Sequence, residues 1–321
     1  MLQGTVVEYH REYCWVRLED GGKEVVAKPR SRLEFVQQYD ERDFDRDGKP
    51  RFSQQLAVGD HVIVDEPSTG HFVIEEILPR LTWLMRKGTK RYRRKPQLVV
   101  ANADQLAVVI AADAELNLNV VDRYFLAAIQ GGLTPMLVVN KYDLNPEIED
   151  SLELREYADR LCSPIYVSAL TAYGLSDLLL ELEHGITVFC GHSGVGKSTL
   201  LSAIMDVELE TAEVNPKTGK GRQTTVTSRM YETIAGSLVV DTPGIRVFGL
   251  AHLTWLDVHE YFSKIAALAQ GCAFRNCLHL HEEGCAVKNA VANGRLSQRR
   301  LDSYIKLRGE ADEKYWEKQQ N

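Results

Sequence analysis

Residues 1 to about 80 alternate between apolar and polar positions with the period of two that half-buried strands require. Short strands are predicted over Thr5–Tyr9, Tyr13–Leu18, Lys23–Lys28, Val58–Asp65 and His71–Ile77, with turn signals at Asp20–Gly22 and Ser68–Gly70. Five short strands in so little chain predict a small β-barrel, with an OB-fold first among the candidates. A polar stretch from Arg30 to Gln55 interrupts them. Within it, Asp40–Arg51 is so dense in Asp and Arg that a flexible loop is expected.

From Gln97 the pattern changes. Apolar runs at Gln105–Ile110, Pro135–Val139, Pro164–Val167, Ile186–Cys190 and Ser237–Val240 read as strands. Helical patterns fill Asn119–Gln130, Leu152–Leu161, Leu175–Leu182 and Thr199–Met205 between them. Strands alternating with helices predict a doubly wound α/β core. Further on, Val287–Ala292 and Ser297–Leu307 look helical, with Leu301, Tyr304 and Ile305 on one face. Arg295, Arg299, Arg300, Lys306 and Arg308 are expected on the exposed side, and Glu310–Asn321 as a charged helical tail. The expected division is a barrel with a basic linker over 1–95, an α/β domain over 96–268 and a helical metal module over 269–321.

The chemistry concentrates at Gly191-His192-Ser193-Gly194-Val195-Gly196-Lys197-Ser198, which fits the phosphate-loop pattern G-x-x-x-x-G-K-[ST] where a strand hands over to a helix. Helix N–H groups and the dipole favour phosphate there, and Thr199 continues the cradle. Lys197 is expected on the β/γ-phosphates and the Ser198 hydroxyl on Mg²⁺. Asn140-Lys141-Tyr142-Asp143 closes another apolar strand as an N-K-x-D tetrapeptide. The Asp143 carboxylate can accept from both N1–H and the exocyclic amine of guanine, a donor pair that adenine lacks. Asn140 and Lys141 would brace that loop and cover the base. Ser168-Ala169 resembles the loop that contacts the guanine carbonyl. Asp241-Thr-Pro-Gly244 supplies a carboxylate that can hold Mg²⁺, through water or directly, and, through the Gly244 N–H, a γ-phosphate contact. Thr225 is favoured over Thr224 for the second Mg²⁺ hydroxyl, on a polar segment suited to ordering by γ-phosphate and metal. An ordinary G domain runs phosphate loop, switch threonine, D-x-x-G, N-K-x-D, S-A. Here N-K-x-D and S-A come first, so a circularly permuted GTPase is expected.

Cys272, Cys277, His279 and Cys285 fall within fourteen positions and match a closed Cys₃His structural zinc site, with His281 the alternative to His279. The 321 residues carry a net charge of −7, yet Arg80, Arg86, Lys87, Lys90, Arg91, Arg93, Arg94 and Lys95 follow one another with no acid among them. A solvated linker and a phosphate-backbone contact both fit that run; beside a barrel the contact is favoured. Tyr13, Trp15 and Arg17 either face single-stranded nucleic acid or, for the two aromatics, pack in the barrel core. No apolar run approaches the roughly 18 residues needed to cross a bilayer, and no signal-peptide pattern opens the chain. Six cysteines without a secretion signal point to reduced thiols and a cytoplasmic protein.

The permuted order, the barrel and the Cys₃His module together resemble the RsgA (YjeQ/YloQ) family of bacterial GTPases that depend on the small ribosomal subunit. Val58-Gly-Asp60, Gln97–Asn102 and Asp122-Arg-Tyr124 add to the resemblance, which spans nearly the whole chain. It implies a late assembly factor for that subunit, binding ribosomal RNA and GTP with Mg²⁺ and zinc, its hydrolysis stimulated by the particle; a monomer is expected, though no residue pattern fixes the oligomeric state. An RNA-binding module that uses GTP only as a switch is the alternative. One position departs from the family: Gln223 stands where a His is usual in Gly-Arg-His-Thr-Thr, and Ile245 follows Asp-Thr-Pro-Gly where Ras-type proteins carry Gln. Gln223 can orient a water and Ile245 cannot, so slow intrinsic turnover is expected.

Overall fold

The computed structural model describes residues 1–10, 12–35, 56–86, 97–158, 163–183, 185–205, 228–242, 250 and 253–319. The N-terminal strands are β1 (Leu2–Tyr9), β2 (Cys14–Leu18), β3 (Glu24–Phe35), β4 (His61–Ser68) and β5 (His71–Ile77). β1–β2–β3 pair antiparallel, β3 pairs parallel with β5, β5 antiparallel with β4, and β4 closes on β1. The order 1-2-3-5-4-1 gives the five-stranded barrel expected of an OB-fold. Cys14, Val16 and Leu18 alternate into its core beside Val25, Val62, Val64, Ile74 and Ile77.

Neither reading of the Tyr13, Trp15 and Arg17 face holds as stated. Tyr13 precedes β2 and stacks on His10 at 4.6 Å. Trp15 points out of the barrel and packs against the main core of the molecule. Arg17 is engaged by Glu24 at 3.0 Å and Glu232 at 3.7 Å.

Arg80 is also not a free phosphate contact. Its Nε and Nη2 donate to the two oxygens of Asp60 at 2.6 and 2.8 Å, and the Asp60 side chain is fully buried. This fork locks the Val58-Gly-Asp60 corner, where Gly59 has φ +88° and a Cβ would lie 1.9 Å from the Ala101 carbonyl oxygen. A hairpin of β6 (Trp83–Arg86) and β7 (Gln97–Ala101) follows. Residues 87–96 of the basic run, like Asp40–Arg51, lie outside the described residues.

The α/β part runs β8 (Gln105–Ala111), α1 (Leu118–Gln130), β9 (Thr134–Asn140), α2 (Leu152–Ala158), β10 (Ile165–Tyr166) and α3 (Leu175–Glu181). Then come β11 (Ile186–Gly191), α4 (Lys197–Met205), β12 (Arg229–Glu232) and β13 (Leu238–Asp241). Strands stand in the order β10-β9-β8-β11-β13-β12, parallel except for β12. Along β8, Leu106, Val108 and Ile110 enter one core layer, while Ala107, Val109 and Ala111 enter the other. β11 has β13 on one side and β8 on the other, so the phosphate loop leaves the sheet where strand order reverses, the usual ligand crevice of such sheets.

The barrel is fused to this sheet through β1, whose Glu8 pairs with Arg229 of β12. Consecutive strand residues face opposite sides, and a register shift between Val6 and Glu8 turns Glu8 to the Trp15 face, away from the barrel core. Val6 enters the barrel core and Val7 the main core, which also takes Met230.

The C-terminal helices are α5 (Trp255–Tyr261), α6 (Ser263–Ala269), α7 (Ala286–Ala292) and α8 (Gln298–Gln319). A Thr254–Asp257 capping box starts α5. α8 runs through the segment expected as a separate tail. Arg299 and Arg300 are not on an exposed side. They enclose Asp122 of α1, which is fully buried: Arg299 Nη1 lies 2.6 Å from Oδ2, and Arg300 Nη1 pairs with Oδ1. Tyr157 and Tyr261 donate to the same Oδ1 at 2.8 and 2.7 Å. Glu156 of α2, also buried, takes the backbone N–H and hydroxyl of Ser297 at 2.7 and 2.6 Å. Four helices thus meet on two acids and two arginines.

Candidate active site and metal centre

Gly191 ends β11 and Lys197 starts α4, so the five residues between them must reverse the backbone. Gly194 and Gly196 do so with φ of +90° and +81°. At Gly196 a Cβ would stand 2.5 Å from Asn140 Nδ2, so only glycine lets the two loops meet. Lys197 Nζ pairs with Asp241 Oδ1. The pairing Phe189↔Asp241 puts that carboxylate beside the loop, and the Thr242 hydroxyl pins it by donating to the Phe189 carbonyl at 2.8 Å. Ser198 adds a hydroxyl one residue into α4. A hydroxyl and a carboxylate are hard oxygen donors, so Ser198 and Asp241 fit Mg²⁺.

Asn140 sits where the Gly191–Ser198 and Ser168-Ala169 loops converge, 1% exposed. Its Nδ2 donates to the Val195 carbonyl at 2.9 Å, and its Oδ1 accepts from the Ala169 N–H at 3.2 Å. Lys141 has φ +61° and reaches Asp113 Oδ2 at 3.0 Å. Tyr142 stacks on Tyr173 with ring centroids 5.0 Å apart and planes 22° apart. Ser168 is buried, donates its N–H to the Tyr173 carbonyl at 3.0 Å, and accepts from Thr171 N–H at 3.1 Å. Asp143 stands exposed in the single turn Tyr142–Leu144. A cleft of about 350 Å³ opens beside these loops, lined by Asp113, Asn117, Tyr124, Lys141, His192 and Ser193 among others.

Sequence reading missed Asp113 and Tyr173. Asp113 stands just past the carboxyl end of β8, the edge where α/β ligands bind, and that position was its signal. Tyr173 had none beyond closeness to Ser168.

The ligating atoms of Cys272, Cys277, His279 and Cys285 all lie within 4.8 Å of one another. Cys272 Sγ is 3.9 Å from Cys285 Sγ and 3.7 Å from His279 Nδ1, which is 3.4 Å from Cys285 Sγ. Zn–S bonds of about 2.3 Å in a tetrahedron require S···S edges of about 3.8 Å and S···N edges of about 3.5 Å. The three edges among Cys272, His279 and Cys285 therefore have the size that zinc requires, and Cys277 closes the cage within 4.8 Å. Burial tends to raise the Cys272 thiol, but the N–H groups of Val287 and Ala286 at the start of α7 outweigh it and lower its pKa. Cys277, buried beside the other sulfurs, is pushed up to about 11. His281 stays exposed and outside the cage.

Residues 77–251 match the RsgA GTPase family model. The chain is 39% identical over 266 residues to the small ribosomal subunit biogenesis GTPase RsgA of Chlorobaculum tepidum, covering 79% of this chain and 85% of the relative. This chain belongs to the RsgA GTPase family. The same-named protein of Pseudomonas fluorescens strain Pf0-1 is 37% identical over 254 residues, covering 78% of this chain and 73% of the relative. YjeQ from Thermotoga maritima superposes with a TM-score of 0.67 at 29% identity, covering 97% of this chain and 98% of its own. YloQ, described as a circularly permuted GTPase, superposes at 0.64 and 23% identity, over 98% and 96% of the two chains, and shares the fold. The permutation is visible in the sheet: β9 and β10, carrying N-K-x-D and leading to S-A, precede β11 in the chain yet stack outward from it through β8. In this RsgA-family chain Gln223, Thr224, Thr225, Gly244 and Ile245 lie outside the described residues. No helix among the described residues is long and apolar enough to cross a membrane.

Proposed function

We propose that this chain binds GTP with Mg²⁺ and hydrolyses it on the small ribosomal subunit, as a factor in that particle's late assembly. The observation that carries the reading is Asn140, whose one amide holds the phosphate loop and the Ser168-Ala169 loop at once. Base recognition and phosphate binding therefore share one rigid pocket. The names of the relatives supply the ribosomal partner. The zinc-sized cage and the barrel are the surfaces to turn toward ribosomal RNA, in the cytoplasm.

Within the pocket, Asp143 accepts from the guanine edge, with Lys141 braced by Asp113 over the base. The N–H groups of Gly191–Thr199 and the Lys197 ammonium hold the phosphates. Ser198, Asp241 and Thr225 would hold Mg²⁺, which would supply positive charge to offset that of the transferring phosphoryl group. Gln223 orients the attacking water and the Gly244 N–H meets the γ-phosphate. Ile245 contributes no water contact, so the partner completes the site. Zinc fills the Cys272, Cys277, His279 and Cys285 cage as a structural ion. The proposed division at residues 95 and 268 separates barrel, GTPase and metal module.

GTP turnover with isolated small subunits, against large subunits and protein alone, tests this. Many-fold stimulation by the small subunit alone supports it. Equal rates in all three arms overturn the ribosomal reading, and phosphate release below one turnover leaves only a binding switch. Asp143→Ala is expected to weaken GTP binding by about 10²-fold or more while ATP binding stays poor, because the guanine donors lose their acceptor. Competition of GTP and ATP against a fluorescent guanine nucleotide reads this directly; unchanged GTP affinity would remove Asp143 from base recognition.

A further inference from the structure

Three neighbouring strands bring two acids and a base into one row. Arg229 on β12 is the register partner of Asp241 on β13 and of Glu8 on β1. Cross-strand partners share a face of the sheet, with Cα atoms about 4.5–5.5 Å apart. An arginine in the middle of such a row can reach either carboxylate.

It has gone to the barrel. Arg229 Nη1 lies 3.1 Å from Glu8 Oε2, and the guanidinium passes 5.6 Å over the Tyr231 ring. Glu8 is itself held, because its other oxygen takes His10 Nε2 at 2.8 Å and its side chain is 14% exposed. Arg229 is 48% exposed and has room to turn. Asp241 is left to Lys197.

The two cations near Asp241 are not equivalent. Lys197 has the nucleotide phosphates to move to, so its pairing with Asp241 does not oppose metal binding. An arginine on Asp241 would have no such destination, and its planar fork suits a carboxylate better than an ammonium does. We propose that Glu8 is a positioning residue for nucleotide binding: it draws Arg229 away from Asp241 and so keeps that carboxylate available to Mg²⁺. The barrel thereby takes part in the nucleotide site through one side chain. This rests on the reading of Asp241 as a Mg²⁺-side ligand.

The test is binding of a fluorescent GTP analogue to the full chain while Mg²⁺ is titrated. Glu8→Gln should raise the Mg²⁺ concentration for half-maximal binding by about three- to fivefold, the scale of a half-exposed ion pair, and leave binding in chelator unchanged. The double variant Glu8→Gln/Arg229→Gln should return to wild-type Mg²⁺ dependence, since the competing cation is gone. A Glu8→Gln curve that overlays wild type overturns the proposal. A double variant as impaired as the single one also overturns it, because the effect would then be loss of barrel seating. Asp241→Asn separates the underlying reading: if it keeps wild-type Mg²⁺ dependence, Asp241 is not on the metal side and the proposal falls with it.

Discussion

Replacing Asp122 by Ala is expected to cost about 3–5 kcal/mol of stability, the scale seen when one member of a buried ion pair is removed. The carboxylate is fully buried and binds Arg299, Arg300, Tyr157 and Tyr261. Without it, two guanidinium groups stay under α5 and α8 with one other acid nearby, Glu156, 3.8 Å from Arg299 Nη2. The arginines cannot shed their charge, since a guanidinium stays protonated at any pH a protein meets. Arg300 lies 4.4 Å above the Phe262 ring and 4.8 Å above Tyr261, and only 7% of it is exposed, so little of its charge is solvated. Urea unfolding followed by tryptophan fluorescence measures the loss; a shift below about 1 kcal/mol would mean the helices pack without the charges.

The same network sets a pH dependence. Burial alone would raise the Asp122 pKa, but Arg300 and Arg299 more than offset it, and the folded value lies below 3.8. A depressed carboxylate stabilises the fold fully above its unfolded pKa, and that contribution is lost as pH falls through the folded value. Wild type should therefore lose stability below about pH 4 more steeply than Asp122→Ala, whose unfolding lacks this group.

How far the sequence carries the structure can be argued from these residues. The barrel was legible because alternation is local: Cys14, Val16 and Leu18 announce an inward face by spacing alone. The phosphate loop, Asn140–Asp143 and the Cys₃His spacing were legible because each is a short motif whose chemistry fixes its geometry. Charges were not. Arg80 reads as a phosphate contact and Arg299 and Arg300 as solvated because an arginine's partner need not be near in sequence; Asp60 lies 20 positions from Arg80, and Asp122 177 from Arg299. The Glu8–Arg229 contact was invisible for the same reason, and because the register shift between Val6 and Glu8 breaks the alternation that would put Glu8 on the barrel-core face with Val6. Asp122-Arg-Tyr124 was noticed as a family resemblance, but only the packing of α1 against α8 gives it a physical task. α8 continues past Leu307 because Glu310 pairs with Arg123 and Ala311 is buried, contacts a tail reading could not supply.

Stripping the metal from the C-terminal cage is expected to have the larger effect. α6 and α7 are seven residues each, well under the length at which a helix holds itself in water. Between them, residues 270–285 contain no helix or strand, and Cys277, His279 and Cys285 are buried among them. His279 even adopts φ +63°, a conformation that a histidine keeps only when its surroundings insist. A bound zinc supplies about 10–16 kcal/mol in isolated zinc-finger peptides, far more than these short helices gain by packing. The purified chain should carry about one zinc, by elemental analysis. Removal by a strong chelator should abolish hydrogen-exchange protection from Cys272 to Ala292. α8 should keep its protection near Arg299 and Arg300, because Asp122 and Glu156 anchor it independently of the metal. Cys285→Ala should act like chelation and also remove the N-cap of α7, which accepts from Lys288 N–H at 3.5 Å. His281→Ala should retain the metal, and His279→Ala should not. Protection unchanged after verified metal loss would show that the cage is held by packing; loss spreading through α8 would show that the Asp122 network depends on the metal and is not a separate anchor.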